Sequence, residues 1–234
     1  MFKHTAELYD LFYDEKDYAG ETARVRELVA ARSPNARTLL DVGCGTGRHL
    51  ELLASWFEVE GLDLDRGLLE VARTRLPAVV FHEADMRAFD LGRTFDVVTC
   101  LFSSIGYVQT VENLGRAMAA MAQHLAPSGV LLVEPWITPE NFDPHHVGRV
   151  VVAERPDLQV ARMNGTRVEG RLSMLDFHYL IARPGTVEHL TETHTLGLFT
   201  DDEYADAIRS AGLDVEHDSE GLMGRGLWIG QHGA

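Results

Sequence analysis

A glycine-rich turn that follows an apolar run constrains this chain more than any other feature. Residues 39–47, L-L-D-V-G-C-G-T-G, place a glycine at every second position of the turn: Gly43, Gly45 and Gly47. Glycine lets the backbone turn tightly and approach a ligand closely, because no Cβ intervenes. Residues 48–55 have a helical pattern, so the turn lies at a strand-to-helix junction. Open α/β sheets bind nucleotide-like ligands at such a junction, and we expect one here.

Two carboxylates narrow the class of ligand. Asp63 lies twenty positions after Gly43, at the end of the next apolar stretch, which is the separation at which a carboxylate binds a ribose diol. The dinucleotide fingerprint is incomplete because Arg48 stands where its third glycine would be, and the phosphate-binding G-x-x-x-x-G-K-[ST] pattern is absent. Asp41, beside the turn, would repel a diphosphate but can accept a hydrogen bond from an ammonium group. These residues predict a nucleoside with a cationic amino-acid tail.

The segment D-V-G-C-G-T-G, residues 41–47, resembles motif I of the class I S-adenosylmethionine (SAM) methyltransferases. The resemblance implies that SAM is the methyl donor and S-adenosylhomocysteine the product. It also implies that Asp85, after the third predicted strand, accepts from the adenine amino group while the backbone of Met86 binds the ring. The complete predicted donor site consists of Tyr13, Asp41, Gly43, Gly45, Gly47, Asp63, Leu64, Asp85, Met86 and Leu101.

Strand and helix patterns alternate along the first part of the chain. This alternation predicts an α/β fold with a doubly wound, mostly parallel, Rossmann-like sheet. Its predicted strands are residues 38–42, 59–62, 79–83, 95–101, 130–134 and 226–230. Between about residues 147 and 198, strand-like runs follow one another without helices. We interpret residues 1–234 as a single domain in which residues 136–198 form an antiparallel β insertion that covers the active site.

Composition excludes several kinds of partner. The chain has 36 acidic and 21 basic residues and a formal net charge of −15, which disfavours nucleic acid because phosphate backbones require dense positive patches. No apolar run is long enough for a membrane span and no secretory signal is evident, so we expect a cytoplasmic protein. Neither the two cysteines nor the pair His145 and His146 has the spacing of metal ligands, and we predict no metal. An exposed edge of the insertion can pair with a second copy of the chain, so we predict a homodimer.

A narrower resemblance covers almost the whole chain. Its most specific segments are V-E-P-W at residues 133–136 and G-R-G-L at residues 224–227, together with F-S-S-I-G at residues 102–106. They are similar to segments of bacterial N,N-dimethyltransferases that act on nucleotide-linked aminosugars in antibiotic biosynthesis, of the TDP-3-amino-3,6-dideoxyhexose type. The resemblance therefore implies transfer of a methyl group to the amine of a TDP-linked deoxyaminosugar.

The chemistry of amine methylation requires little catalytic apparatus. A sulfonium methyl is already activated, so the protein mainly has to align donor and acceptor and remove a proton from the ammonium form. The resemblance implies two candidates, Tyr13 in the N-terminal helix and His124 near a helix C-terminus. Three possibilities are open for His124: it accepts the proton, it donates a hydrogen bond that orients the methyl acceptor, or it does neither.

The predicted acceptor site combines aromatic, hydroxyl and cationic side chains. It consists of Tyr9, Tyr18, Ser103, Ser104, Tyr107, Trp136, Arg149 and Arg225. Arginine is needed there because a diphosphate must be offset in a strongly acidic chain, and Arg225 is the first choice. Arg162 and Arg171 are further candidates.

Three functions remain open from the sequence. The first is N-methylation of a nucleotide-linked aminosugar, and the second is N- or O-methylation of another small secondary metabolite. The third is a SAM-binding sensor without catalysis, which the long insertion on the acceptor side disfavours. Only Asp14 and Glu15 separate the segments F-Y and K-D-Y, where the resembling family has a longer connection, and this departure leaves the sugar open.

Overall fold

The computed structural model describes residues 6–233. The strands, in chain order, are β1 (Thr38–Val42), β2 (Glu58–Asp63), β3 (Val80–Glu83), β4 (Phe95–Cys100), β5 (Leu125–Val133), β6 (Val151–Arg155), β7 (Leu158–Glu169), β8 (Leu172–Arg183), β9 (Thr186–Gly197), β10 (Leu213–Asp218) and β11 (Leu227–His232). The helices are α1 (Ala6–Phe12), α2 (Tyr18–Arg32), α3 (Arg48–Leu53), α4 (Arg66–Arg75), α5 (Val111–Gln123) and α6 (Asp201–Ser210), with a 3-10 helix at Ser104–Val108.

A central sheet carries the cavity described below. Its strand order is β10-β11-β5-β4-β1-β2-β3. Strands β1 to β5 are parallel, whereas β11 is antiparallel to β5 and β10 is antiparallel to β11. Helices cover both faces: Val25, Leu50 and Leu69 pack on one side, and Leu114 and Met118 on the other. The predicted fold class is confirmed.

Most helices begin at a residue whose side chain accepts a hydrogen bond from a backbone amide of the first turn. Asp17 does so for α2, Asp65 for α4, Thr110 for α5 and Thr200 for α6. These side chains satisfy amides that have no partner within the helix, so the starts of these helices are fixed locally. Among the described residues, no helix combines the length and the apolar character needed to cross a bilayer.

The central sheet differs from the prediction at two strands, β10 and β5. Strand β10 was not predicted, because its polar residues Asp214, Glu216 and Asp218 leave only two apolar side chains in six positions. Strand β5 also begins earlier than the predicted strand 130–134. Phe95 pairs with Leu125 before the register between β4 and β5 shifts, so residues 125–129, which precede the predicted strand, also belong to the sheet.

A second sheet of four antiparallel strands follows β5 in the chain. Its order is β6-β7-β8-β9, and its hairpins are long, with β8 and β9 paired from Leu172–Gly197 to Arg183–Thr186. Val160, Tyr179 and Ile181 on its inner face pack against Leu8 of α1. The strands fall within the predicted antiparallel segment. The assignment of residues 136–198 as an insertion in one domain of residues 1–234 stays a prediction, and residues 1–5 and 234 lie outside the described residues.

Candidate active site

One cavity of about 520 Å³ lies between the carboxyl ends of β1, β2 and β4 and the inner face of the antiparallel sheet. Helix α1 and the 3-10 helix complete its wall. The lining includes most of the side chains that the sequence predicts for the donor and acceptor sites: Tyr9, Tyr13, Tyr18, Asp41, Gly43, Gly45, Asp63, Leu64, Asp85, Met86, Leu101, Ser103, Ser104, Tyr107, Trp136 and Arg225. The structure therefore brings both predicted sites into one space.

The glycine-rich turn forms the floor of the donor side. Gly43 has a φ of 76° and lies so close to Ser104 that an added Cβ would come within 2.6 Å of the serine Cβ. Gly45 has a φ of 55°, and a Cβ there would meet no protein atom within 4 Å. The free space beside Gly45 can admit a ligand close to the backbone. Gly47, which starts α3 with a φ of 77°, is absent from the lining and serves the strand-to-helix turn instead.

Two buried carboxylates flank this turn. Asp41 accepts from the Thr99 hydroxyl at 2.8 Å, and burial raises the pKa of Asp41 to about 7. Asp63 accepts at 2.8 Å from the amides of both Gly45 and Asp65, and burial raises its pKa as well. Buried carboxylates of this kind favour a cationic ligand, because a nearby positive charge offsets their desolvation. The arrangement fits a nucleoside with a cationic tail.

Asp85 and Met86 form the far end of the donor side. Arg87 forms an ion pair with Asp85 and holds the pKa of that carboxyl below its usual range. Asp85 is therefore ionised and able to accept from an amino group. The Met86 methyl lies 3.5 Å from the position that a Cβ on Gly43 would occupy, so it contacts the same turn.

Helix α1 closes the cavity above the glycine-rich turn. Asp10 accepts from the Thr46 hydroxyl at 2.6 Å and forms an ion pair with Arg75 at 2.5 Å. The rings of Tyr9 and Tyr13 contact each other at a tilt of 49°, with centroids 4.7 Å apart, and both residues line the cavity. Tyr13 lines the cavity but directly follows α1, which ends at Phe12, and its role beside the donor stays a prediction.

Two arginines on the acceptor side have no carboxylate partner among the described residues. Arg162 lies over the rings of Phe12 and Phe177, at 4.4 and 5.0 Å from their centroids, and donates to the Tyr13 hydroxyl at 3.3 Å. Arg225 donates to the Ser103 hydroxyl at 3.0 Å. By contrast, the other arginines of the lining, Arg48 and Arg87, are paired with Asp14 and Asp85. Arg162 and Arg225 therefore leave positive charge available for an anion.

The turn after β4 joins the donor and acceptor sides. Phe102 and Ser103 have φ values of 52° and 60°, a region that non-glycine residues rarely adopt and that clusters at functional sites. Ser103 donates to the carbonyl of Pro135 at 2.7 Å, and Ser104 donates to the carbonyl of Gly43 at 3.2 Å. These bonds fix the loop that separates the two sides of the cavity.

Two residues that the sequence predicts for the site, His124 and Arg149, lie outside the cavity, and these predictions are corrected. His124 is buried, with Nδ1 bonded to the carbonyl of Ala120 at 2.7 Å and Nε2 accepting from the amide of Leu91 at 2.9 Å. It caps the end of α5, and its carbonyl accepts from Phe95, the first residue of β4, at the edge of the sheet opposite the cavity. Because both ring nitrogens are occupied there, His124 cannot serve an acceptor in the cavity. Arg149 is exposed in the connection before β6, outside the lining.

The antiparallel sheet contributes lining residues that the sequence did not identify. It also shows which of the two further arginine candidates lines the cavity. His194, Phe177 and Leu196 are new, and Arg162 lines the cavity as one of the further arginine candidates. Arg171 does not line it, since Glu203 binds its guanidinium. The available signal was the alternation of β8, in which Phe177 and Tyr179 lie two positions apart and both face the cavity.

Comparisons with known proteins agree with this geometry. Residues 39–129 match the family model described as a methyltransferase domain. The chain is 45% identical over 229 residues to a dTDP-3-amino-3,4,6-trideoxy-alpha-D-glucopyranose N,N-dimethyltransferase of Streptomyces venezuelae, covering 96% of both chains. It is 41% identical to a dTDP-4-amino-2,3,4,6-tetradeoxy-D-glucose N,N-dimethyltransferase of Saccharopolyspora spinosa, covering 96% of this chain and 91% of that one.

A solved structure extends the similarity to the whole fold. CalS10, described as an amino pentose methyltransferase from Micromonospora echinaspora involved in calicheamicin biosynthesis, was solved with SAM bound. The present chain is 39% identical to it, with a TM-score of 0.87, and the alignment covers 100% of this chain and 98% of that one. The likeness therefore includes the antiparallel sheet as well as the central one.

Proposed function

The chain belongs to the family of the N,N-dimethyltransferases of dTDP-linked aminosugars, and we propose that it transfers methyl groups from SAM to the amine of a TDP-linked deoxyaminosugar in antibiotic biosynthesis. The prediction of a SAM-dependent N-methyltransferase is confirmed. The relatives differ in the sugar carbon that bears the amine, position 3 in one and position 4 in another. The proposal therefore specifies the class of acceptor and leaves that carbon to experiment.

The observation that carries the proposal is the division of charge within one cavity. Asp41, Asp63 and Asp85 lie on the donor side, whereas Arg162 and Arg225 lie on the acceptor side without carboxylate partners among the described residues. A cationic donor and a diphosphate acceptor need this opposite arrangement. A neutral metabolite would leave two arginines of the lining unused.

We infer the roles of the donor-side residues from their contacts. The free space beside Gly45 and the acidic lining fit SAM, which when bound supplies an activated methyl on a sulfonium. We assign Asp63 to the ribose hydroxyls, Asp41 to the ammonium of the amino-acid tail, and Asp85 with Met86 to adenine. Tyr9 and Tyr13 exclude water from above because α1 is bound to the glycine-rich turn through Asp10.

The acceptor-side roles are assigned in the same way. Arg162 and Arg225 bind the diphosphate, with Arg225 held by Ser103 and placed 5.3 Å from the centroid of the Trp136 ring. Tyr18, Tyr107 and Trp136 provide aromatic surfaces against which a base or sugar ring can pack. This arrangement holds the amine toward the donor side.

The experiment is a mass measurement on a panel of acceptors. The protein is incubated with SAM and TDP-linked 3-amino or 4-amino deoxysugars, with the same sugars lacking the nucleotide, and with a carboxylate and a phenol. We expect two successive gains of one methyl each, with release of S-adenosylhomocysteine, only for a nucleotide-linked aminosugar. Turnover confined to the carboxylate, the phenol or a free sugar would refute the acceptor. Binding of SAM without turnover of any aminosugar would indicate a sensor.

The predicted homodimer is part of the same proposal. Strand β6 is an edge of the antiparallel sheet and alternates half-buried and exposed side chains. Such an edge can pair with a second copy of the chain. Sedimentation equilibrium of the protein, compared with a variant carrying Val152→Lys on β6, tests whether this edge holds two subunits together.

A further inference from the structure

A tyrosine and a histidine from different elements meet at the acceptor side of the cavity. The hydroxyl of Tyr107, on the 3-10 helix, lies 2.6 Å from Nδ1 of His194 on β9. Both residues line the cavity. The helix that carries Tyr107 also touches the donor side, because the Ser104 hydroxyl donates to the carbonyl of Gly43. The pair therefore lies beside the junction of the donor and acceptor sides.

The surroundings of His194 favour one tautomer. The ring is 3% exposed, and the carboxylate of Glu192, also buried, lies 3.8 Å from Nε2. A carboxylate on that side favours a proton on Nε2, which leaves the Nδ1 lone pair directed at the Tyr107 hydroxyl. Phe177 of β8 contacts the imidazole edge-on, with centroids 5.2 Å apart. In this tautomer Tyr107 donates to His194, and the phenol oxygen keeps a lone pair for the cavity.

The charged and titratable groups around Tyr107 favour its neutral form. Burial raises the pKa of the Tyr107 hydroxyl far above its ordinary value, and Tyr13, Asp63, Tyr179 and Glu192 act in the same direction. Tyr107 therefore stays a phenol at neutral pH. A phenol that donates to an imidazole can accept a proton on its oxygen while it passes its own proton on.

Dimethylation of an amine requires a proton acceptor between the two transfers. Transfer of a methyl group to a neutral primary amine yields a protonated secondary amine, whose nitrogen has no lone pair. The nitrogen must lose one proton before it can attack a second methyl group. Inside the cavity, that proton needs a path to a basic group.

We propose that Tyr107 and His194 form this proton path, with Tyr107 as the catalytic residue that touches the amine and His194 as the group that stores the proton. The ammonium N–H bond breaks as a proton moves to the Tyr107 oxygen, and the Tyr107 proton moves to His194 Nδ1. The products are a neutral amine and an imidazolium stabilised by Glu192, a positioning residue. The imidazolium then releases its proton to water. The inference rests on the proposed function.

The other histidine of the lining is less suited to this step. His49 is buried in α3, and its Nε2 lies 2.8 Å from Glu21, which also pairs with Lys16. Burial lowers the pKa of His49. Its ring lies against Tyr18, near the start of α3 and the donor side. His194 is the histidine of the lining that faces a hydroxyl of the acceptor side.

The test separates the second methyl transfer from the first. Tyr107→Phe, His194→Gln and Glu192→Gln are compared with wild type and with His189→Gln, an exposed histidine on the same strand. Each protein receives SAM and either the primary aminosugar or its monomethyl form, over a range of pH. For Tyr107→Phe and His194→Gln we expect kcat with the monomethyl substrate to fall about 100-fold near neutral pH, with accumulation of the monomethyl product. Glu192→Gln should fall less, and His189→Gln should match wild type.

The pH profile distinguishes a proton path from a structural role. Above the pKa of the amine the substrate arrives without its extra proton, so the defect of Tyr107→Phe should shrink toward high pH. The Kd of SAM, measured by calorimetry, should stay within twofold of wild type. Wild-type rates in both Tyr107→Phe and His194→Gln, or an equal loss at every pH, would overturn the proton path while leaving the proposed function intact. Failure of the wild-type protein to methylate any aminosugar would overturn both.

Discussion

The two sides of the cavity are built from the chain in different ways. Residues of the donor side come mostly from one continuous stretch, residues 41–104, at the carboxyl ends of neighbouring parallel strands. Residues of the acceptor side come from α1, the turn after β4, the antiparallel sheet and the segment before β11. A contiguous site can be recognised in a sequence by local spacing. A dispersed site depends on how distant elements pack.

The two sides also differ in how extensively they pack against the rest of the protein. Strands β1 and β4 are buried in the middle of the central sheet, with helices packed on both faces. The antiparallel sheet buries its inner face against α1 through a small cluster and exposes Val152, Leu180 and Val187 on the outside. The donor side is therefore part of the main core, whereas the acceptor side rests on fewer contacts. We infer that this fold can keep one donor while the sugar changes.

The largest effect that would test this comparison is expected at Asp63. Replacement by alanine removes the carboxylate assigned to the ribose and leaves the amides of Gly45 and Asp65 without their acceptor. Because hydrogen bonds to a charged group contribute about 1.5–3 kcal/mol, we expect the Kd of SAM to rise about 100-fold. Calorimetry with SAM and S-adenosylhomocysteine measures it. Glu58→Gln, at the exposed start of the same strand, is the control, and a change below twofold in Asp63→Ala would contradict the assignment.

The acceptor side should respond separately. Arg162→Gln and Arg225→Gln each remove a cation that has no carboxylate partner among the described residues, so we expect KM for the TDP-linked sugar to rise about 20-fold in each. The Kd of SAM should stay unchanged. Added salt should raise the KM of the wild type by a larger factor than the KM of either variant. Arg183→Gln, exposed near the end of β8, serves as the control. Equal losses of donor and acceptor binding would show that the two sides are not independent.

Donor affinity should depend on pH through Asp41. Burial raises the pKa of this carboxyl to about 7, so the free protein must release a proton before the carboxylate can face an ammonium group. We expect the affinity for SAM to rise several-fold between about pH 6 and about pH 7.5 and to be flat in Asp41→Asn. Calorimetry in buffers of different ionisation enthalpy would also show proton release on binding. A pH-independent Kd in the wild type would contradict this role.

The same substitution should stabilise the ligand-free fold. A raised folded pKa means that the folded state holds a proton that the unfolded chain releases above about pH 4, so stability falls as pH rises from about 4 to about 7. Asp41→Asn carries no such proton and should gain on the order of 1–3 kcal/mol in unfolding free energy at about pH 8. Urea denaturation at both ends of this range measures the difference. A gain that is the same at about pH 4 would point to packing instead of ionisation.

The sequence predicted more of the donor side than of the acceptor side. The strand before the glycine-rich turn was predicted at residues 38–42, as observed, because Leu39, Leu40 and Val42 form a mainly apolar stretch directly before the turn, as in a buried central strand. His194 was missed because β9, T-V-E-H-L-T-E-T-H-T-L-G, carries polar residues on both faces, so alternation alone does not separate the inner face from the outer one. Its place in the cavity depends on the register of two long hairpins.

His124 shows that a local match does not fix a position in space. The sequence correctly placed it near the end of α5, but in a parallel α/β sheet a helix ends at the edge where the next strand begins. Ligands bind at the opposite edge, beyond the carboxyl ends of the strands. Topology therefore predicts that His124 lies at the edge away from the ligand, whereas the resemblance alone predicts a place in the site.

The smallest expected effect concerns the turn that joins the two sides. Glu134 is fully buried, and its Oε2 accepts from the amide of Phe102 at 2.6 Å, at the first of the two residues with positive φ. The same turn bears Ser103, which holds Arg225. Glu134→Ala removes the carboxylate, so that amide loses its acceptor and a space opens in the core. We expect a loss of about 1–3 kcal/mol in unfolding free energy and a threefold to fivefold rise in the KM of the sugar, roughly the scale of one unpaired amide.

Glu134→Gln distinguishes the hydrogen bond from the charge. Burial raises the pKa of Glu134, so ionising it is costly in the fold, and a neutral amide oxygen can accept from Phe102 without that cost. We therefore expect Glu134→Gln to keep the wild-type KM and to match or exceed the wild type in urea denaturation at neutral pH. If instead Gln behaves like Ala, the negative charge itself acts across the turn on Arg225, and the acceptor side depends on a carboxylate beneath it as the donor side does on Asp41.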